Sequence, residues 1–110
     1  MTQAVMDQAV LTIESLPPAP IDAASRFHDE FIPQARQLLD GDFGALAIVL
    51  PLAASDHDDW RRAIARDLAR AFAPKRVNVT SASAQGAIAP MLAYLRDAPG
   101  VTGQYLAMHE

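Results

Sequence analysis

Cysteine is absent from the 110-residue sequence, which excludes disulfide bonds and thiol chemistry. No basic residue precedes Arg26, so we do not expect a secretion signal, which has a positively charged segment followed by an apolar one. The longest apolar run, at 45–54, has 10 residues and contains Pro51, which is too short to span a bilayer. We therefore expect a cytoplasmic protein that does not enter a membrane.

Positive charge is also scarce, with 9 Lys and Arg residues against 13 Asp and Glu residues and a formal net charge of −4. A protein that binds nucleic acid regardless of sequence needs a basic surface that displaces counterions. Nucleic acid is therefore not an expected partner. The three histidines, at 28, 57 and 109, lack the spacing of a zinc site, so no metal is expected either.

What the sequence does contain is a regular alternation of short apolar runs and amphipathic stretches. The apolar runs predict strands at residues 9–13, 45–50, 77–79 and 104–108. The amphipathic stretches predict helices at residues 22–40, 56–73 and 88–95. The run at 45–50 has no polar position, which is typical of a parallel strand covered by helices on both faces.

The expected fold class is therefore α/β, with about four mainly parallel strands and three helices in an α/β/α sandwich. The length of the chain fits one domain over residues 1–110, of which residues 1–8 carry little pattern and are expected to be disordered. Asp22 is predicted to cap the first helix, and Ser55 with Asp58 to form a capping box for the second. Pro33 predicts a kink or a local accommodation within the first helix, and residues 80–86 predict a loop.

Three segments carry a family resemblance. Phe31-Ile32-Pro33 is followed by GALAIV at 44–49, IARDLARAFAPKRVN stands at 64–78, and VTGQYL stands at 101–106. In this order they resemble the C-terminal half of the short-chain dehydrogenase/reductases, whose last segment reads I-T-G-Q-x-L. The resemblance implies a truncated, Rossmann-like half of that fold, covering roughly residues 21–108.

The resemblance also implies where the family's functional residues would stand. The glycine-rich turn G-x-x-x-G-x-G, which holds the dinucleotide in that family, does not occur in this sequence. The family's Tyr, Lys, Ser and Asn would fall near Ala54, Asp58, Leu52 or Ala53, and Pro20. An aspartate in place of the lysine would reverse the electrostatic assistance to the tyrosine. We therefore expect no inherited catalytic residue and no cofactor.

The acidic cluster at 56–59, Asp-His-Asp-Asp, is the first alternative site. Helix capping and favourable charge at a helix start explain these residues without a ligand. The enzymatic alternative is a rebuilt acid/base site that uses His57, Asp58 or His28. Residual binding of NAD(P) or another small molecule is a further alternative.

Self-association is the function that we expect, as a homodimer or homotetramer of a non-catalytic module. The resemblance implies that the helices at 22–40 and 56–73 pack between subunits, and the edge strand and the last strand are further candidate contacts. Candidate interface residues are Trp60, Arg62, Arg66, Arg70, Phe27 and Phe31. A solvated helix face is the alternative for the arginines, and core packing for Trp60. Docking on another protein is the alternative to self-association.

Overall fold

A four-stranded parallel sheet organises the computed structural model, which describes residues 7–83 and 86–108. Its strands are β1 (Gln8–Thr12), β2 (Ala45–Pro51), β3 (Arg76–Ala82) and β4 (Tyr105–Leu106). They lie side by side in sequence order, and each neighbouring pair is parallel. The predicted α/β class with four parallel strands is confirmed.

Three helical segments connect these strands. The first consists of α1 (Pro20–Arg26), a π-helical turn (Phe27–Phe31) and α2 (Ile32–Leu39), which follow one another without a break. A 3₁₀ turn (Ser55–His57) and α3 (Asp58–Ala71) lead from β2 to β3, and α4 (Ala89–Arg96) leads from β3 to β4. The three predicted helical segments are therefore present.

The helices cover the two faces of the sheet unequally. The first face packs against α1, the π-turn, α2 and α3, and its apolar strand residues are Ala9, Leu11, Leu46, Ile48, Leu50, Val77 and Val79. The second face carries Val10, Ala45, Ala47, Val49, Asn78 and Thr80, because side chains alternate along a strand. Helix α4 lies on this second face, where Gln8 Nε2 donates to the Leu92 carbonyl and Arg76 Nη1 to the Leu95 carbonyl. The predicted α/β/α sandwich is confirmed.

Pro33 is accommodated by the π-turn that precedes it. The Ile32 N–H donates to the carbonyl of Phe27, five residues back, so the hydrogen-bond pattern widens just before the proline. The buried residues of this segment, together with the half-buried Phe31, stand at every fourth position: Ala23, Phe27, Phe31, Ala35 and Leu39. In an uninterrupted α-helix of 3.6 residues per turn such a row would drift around the axis, and the wider turn keeps it on the sheet.

The two side-chain caps predicted from the sequence are wrong. Helix α1 begins at Pro20 without a side-chain cap hydrogen bond, and Asp22 lies inside its first turn. Proline suits this position because its missing N–H would have no partner there. Ser55 begins the 3₁₀ turn and the N-cap residue of α3 is His57, again without a side-chain cap hydrogen bond. Asp58 contributes through its charge in the first turn.

β3 extends into the segment that was predicted as a loop, whereas β4 is shorter than predicted. Thr80 and Ser81 are buried strand residues. The Thr80 hydroxyl donates to the Leu106 carbonyl (2.6 Å), and the Ser81 hydroxyl oxygen accepts from the Met108 N–H (3.2 Å). These side-chain bonds hold the last segment where the backbone ladder to β4 covers two residues.

Lys75 connects two turns at the amino ends of the strands. Its ammonium donates to the carbonyls of Leu39 and Gly41, at the end of α2. These carbonyls lie beyond the last intrahelical donors, so the lysine satisfies acceptors that the helix itself cannot. The turn before β3 is thereby joined to the turn before β2.

Two expectations fall on residues that the structure leaves undescribed. The disorder expected for residues 1–8 concerns mainly residues 1–6, outside the described ranges, while Gln8 belongs to β1. His109 also lies outside the described residues. Across the described ranges, no helix has the length and apolar character to cross a membrane.

Candidate functional site

A cleft of about 470 Å³ opens at the carboxyl ends of β1 and β2. In open parallel α/β sheets, ligands bind at this edge. One wall is the loop at 14–18 after β1, which Pro17 and Pro18 stiffen, and the other is the segment at 51–54 after β2. Asp56, His57 and Arg61, from the start of the α3 segment, complete the lining.

His57 is a buried residue that ties the proline loop to α3. The Trp60 indole Nε1–H donates to His57 Nδ1 (3.1 Å), so this nitrogen is an acceptor. Nε2 must then carry the proton that it donates to the Pro18 carbonyl (3.0 Å). Since both ring nitrogens are engaged, neither can exchange a proton with a ligand in this arrangement.

Asp56 lines the cleft together with His57, whereas Asp58 and Asp59 face Arg62 instead. Asp58 lies 3.8 Å from the Arg62 guanidinium, and Asp59 lies 3.5 Å from it. His28 is exposed on the π-turn and donates from Nδ1 to the Ala24 carbonyl (2.8 Å). In the part of the chain that the structure describes, no group of three or more His, Cys, Asp or Glu residues could hold a metal ion.

The positions that the resemblance assigns to the catalytic tyrosine and lysine lie beside this cleft. Ala54 lines the cleft with a methyl group. Asp58 lines an adjoining depression of about 400 Å³, together with Ser81 and Tyr105. Neither side chain can reproduce a phenol whose acidity is raised by a neighbouring ammonium.

Arg61, which sequence reasoning missed, is the largest fully buried side chain, with a relative exposure of 1%. Its guanidinium carbon lies 5.4 Å from the centre of the Trp60 ring and 5.8 Å from that of Tyr105. Nη1 donates to the Tyr105 hydroxyl (3.2 Å), whereas Nε has no hydrogen-bond partner among the described residues. Within residues 7–83 and 86–108, no carboxylate oxygen lies within 4.0 Å of this guanidinium.

A sequence signal for this burial exists. Arg61 stands three, four and seven residues before Ile64, Ala65 and Leu68, which form the buried face of α3. These are the spacings of one helical face, so an arginine occupies an apolar position. Trp60, one residue earlier, stands at a spacing of four with Ile64, Leu68 and Phe72, and the buried stripe predicted from those four residues obscured the placement of Arg61.

The aromatic candidates for an interface pack within the chain itself. Phe27 is fully buried, and Phe31 and Trp60 are half-buried against the core. The ring centres of Phe27 and Trp60 are 5.7 Å apart. Their large apolar surface therefore stabilises this chain, and any contact with a partner stays a prediction.

The arginine candidates lie on an exposed face of α3. Arg62 pairs with Asp58 and Asp59, and Arg70 pairs with Asp67 at 2.8 Å. Arg66 is exposed and forms no ion pair within the described residues. The face is thus largely neutralised by its own helix, and its role in an interface stays a prediction.

Shifted pKa values are found at the far end of α4, at the exposed pair Arg96 and Asp97. The hydrogen bond from Arg96 lowers the pKa of the Asp97 carboxyl, and Asp97 raises the pKa of Arg96. The pair lies among the last residues of this helix, where a cation also suits the helix dipole.

The parallel sheet with helices on both faces is a Rossmann-like arrangement with a cleft at its carboxyl edge. The chain matches the model of the SDR-like family, described as short chain dehydrogenase-like protein, over residues 11–108. It therefore belongs to this family, and the resemblance carried by the three segments is confirmed. No curated protein and no solved structure matches the chain.

Proposed function

We propose that this chain is a non-catalytic, SDR-like module that associates with a second copy of itself through β1. The observation that carries the proposal is the outer edge of this strand. Within the described residues, β1 pairs with β2 alone. An unpaired strand edge presents a row of backbone donors and acceptors, which is a template for pairing with another chain.

The hydrogen bonds of β1 indicate which backbone groups face outward. Gly44 N–H donates to the Asp7 carbonyl (3.3 Å), and Ile13 N–H donates to the Val49 carbonyl (2.9 Å). Odd-numbered residues of β1 therefore bond to β2, and the backbone groups of Val10 and Thr12 point away from it. Val10 is also 42% exposed, which places an apolar side chain at this edge.

A second copy of the chain is the occupant that suits this edge. Two identical edges related by a two-fold axis can pair as antiparallel strands and form one continuous sheet. Such pairing would satisfy the outward backbone groups and bury Val10 of both copies. The arginine face of α3 is the weaker alternative, because Asp58, Asp59 and Asp67 already neutralise much of its charge.

The non-catalytic part of the proposal is supported by Ala54 and Asp58. A methyl group supplies no proton, and the carboxylate of Asp58 faces Arg62. The rebuilt acid/base site that sequence reasoning left open would use His57, Asp58 or His28. Both ring nitrogens of His57 are engaged, Asp58 faces Arg62, and His28 bonds to the Ala24 carbonyl on its own helical segment. Titration of NADH and NADPH by fluorescence is expected to give no saturation at micromolar protein, and saturable binding would overturn this part of the proposal.

Light scattering coupled to size exclusion tests the association. At micromolar concentration we expect twice the chain mass of 11.8 kDa. Val10→Lys should yield the monomer, because it places a charge at the paired edge. Ile21→Lys is the matched control, since Ile21 is an exposed apolar residue of α1 and should leave the dimer intact. A monomeric wild-type protein, or a dimer that survives Val10→Lys, would overturn association through β1.

A further inference from the structure

We propose that the cleft at the carboxyl ends of β1 and β2 binds a small monocarboxylate with an apolar body, and that Arg61 holds the carboxylate. The site lies at a different place from the outer edge of β1. The proposal therefore goes beyond self-association and does not depend on it.

The electrostatic state of Arg61 is the first reason. A buried arginine is almost always paired with an anion, because a guanidinium removed from water needs compensation. Here the guanidinium is buried, its Nε donor has no partner, and no carboxylate of the described residues lies within 4.0 Å. An oxyanion in the cleft that Arg61 lines would supply the missing charge and acceptors.

The second reason is that the guanidinium is held in place. The rings of Trp60 and Tyr105 lie within 6 Å of it, and the Tyr105 hydroxyl fixes Nη1. The N–H groups of a guanidinium held in this way form a planar set that matches the two oxygens of a carboxylate. Little side-chain entropy is then lost when an anion binds, because the arginine is already ordered.

The rest of the lining indicates the kind of anion. Leu16, Pro17, Leu52 and Ala53 give the cleft apolar walls that suit a hydrocarbon body. Glu14 and Asp56 are exposed lining residues. Their negative charges would repel a phosphate dianion more strongly than a singly charged carboxylate. A volume of about 470 Å³ is within the range of small-molecule sites.

Trp60 provides a direct readout, because it is the chain's single tryptophan and its indole hydrogen-bonds to His57 in the cleft wall. Butyrate is titrated at pH 7 and constant ionic strength, and Trp60 fluorescence and the indole N–H resonance are followed. We expect a saturable change with a Kd on the order of millimolar, as befits so small a ligand. Butyramide has the same shape without the charge and should bind at least about tenfold more weakly. Inorganic phosphate should also bind more weakly than butyrate.

Arg61→Met is the decisive variant, because it keeps an unbranched side chain of similar length and removes the charge. It should weaken butyrate binding by about 10- to 100-fold. Arg36→Met is the matched control, since Arg36 is exposed on α2 and should leave binding unchanged. If circular dichroism shows that Arg61→Met does not fold, Arg61→Lys replaces it and should weaken binding about tenfold, because the planar arrangement is lost.

The proposal is overturned if wild-type protein shows no saturation with butyrate, or if butyramide binds equally well. Unchanged butyrate binding by a folded Arg61 variant would overturn it too. Light scattering on the same samples separates the two proposals. A monomer that binds butyrate would contradict only association through β1, and a dimer that does not respond would contradict only the carboxylate site.

Discussion

The two faces of the sheet are built on different principles, although the same strands supply both. On the first face, the strand side chains other than Ser81 are aliphatic and meet three helical elements and the π-turn in one continuous core. On the second face, α4 has eight residues, and two buried strand residues, Asn78 and Thr80, are polar. Burial of apolar surface stabilises the packing on the first face, whereas specific hydrogen bonds from the second face fix the position of the segment at 101–108.

Because of this difference, we expect the first face to determine the stability of the fold and the second face to determine the geometry around Arg61. The polar residues of the second face hold the segment at 101–108, and Tyr105 in that segment contacts Arg61. The first face can therefore be regarded as the source of most of the free energy of unfolding. The second face sets the position of Tyr105 beside the guanidinium, and substitutions on the two faces should produce different kinds of effect.

The largest effect is expected from Phe27→Ala on the first face. Phe27 is fully buried and contacts the rings of Phe31 and Trp60, so truncation removes apolar burial and leaves a cavity. We expect a loss of about 3–5 kcal/mol in the free energy of unfolding, measured by urea denaturation. Phe31→Ala, at a half-buried ring, should lose less, and equal losses would contradict the assignment of Phe27 to the centre of this core.

A smaller effect is expected from Asn78→Ala on the second face. Asn78 Nδ2 donates to the Val101 carbonyl (2.9 Å), and Oδ1 accepts from the Gln104 N–H (3.1 Å). Removing the amide leaves both backbone groups without this partner and should cost about 2 kcal/mol in urea denaturation. The indole resonance of Trp60 should also move, because the segment that carries Tyr105 is released. A loss of stability without that movement would contradict the positioning role.

Truncating one valine on each face compares directly how much the two faces contribute to stability. Val79 is fully buried on the first face, whereas Val49, on the second, borders an opening of about 390 Å³ next to Thr12 and Ile88. Val79→Ala should leave a closed cavity and lose about 2 kcal/mol, and Val49→Ala should lose about 1 kcal/mol, because its surroundings already open to solvent. Urea midpoints of the two variants measured in parallel decide the comparison, and a larger loss for Val49 would reverse it.

The smallest effect is expected at the exposed end of α4. The pKa of Asp97 is lowered from 3.8 by Arg96, so the pair stabilises the fold at neutral pH and this contribution disappears as the pH falls through the lowered pKa. Both partners are exposed, so water and salt screen the attraction. Asp97→Asn should therefore unfold close to wild type at pH 7 and converge with it in acid. A large difference at pH 7 would contradict the screening of this pair by solvent.

The fold was predictable because its signals are local. The continuous apolar run of β2, the spacings of three and four in the first helical segment and the spacing of four in α3 each indicate burial from the local sequence. The capping predictions failed because they too relied on local sequence alone. Helix α1 begins at Pro20 and α3 follows a 3₁₀ turn, and neither start uses a side-chain acceptor. Local rules for capping rank Ser and Asp highly but do not detect such alternatives.

The cleft was far less predictable, because its parts are distant in the sequence. Arg61 and Tyr105 are 44 positions apart, and His57 and Pro18 are 39 apart. No short window along the chain contains either pair, so their contact depends on the order of strands and the packing of α3. The arginine at an apolar position of α3 was the one local signal of the cleft. Its significance depends on the structure, in which no carboxylate of the described residues lies within 4.0 Å of the guanidinium.

Lys75 is a side chain through which the protein can be attached to a surface in a defined orientation. It is the single lysine of the chain, and it lies at the amino-end edge of the sheet, opposite the cleft. When the protein is coupled to a sensor surface through this side chain, the cleft faces the solution. Acylation would also remove the charged donor that the carbonyls of Leu39 and Gly41 accept from, so a reductive alkylation that keeps the charge is the better chemistry for immobilisation.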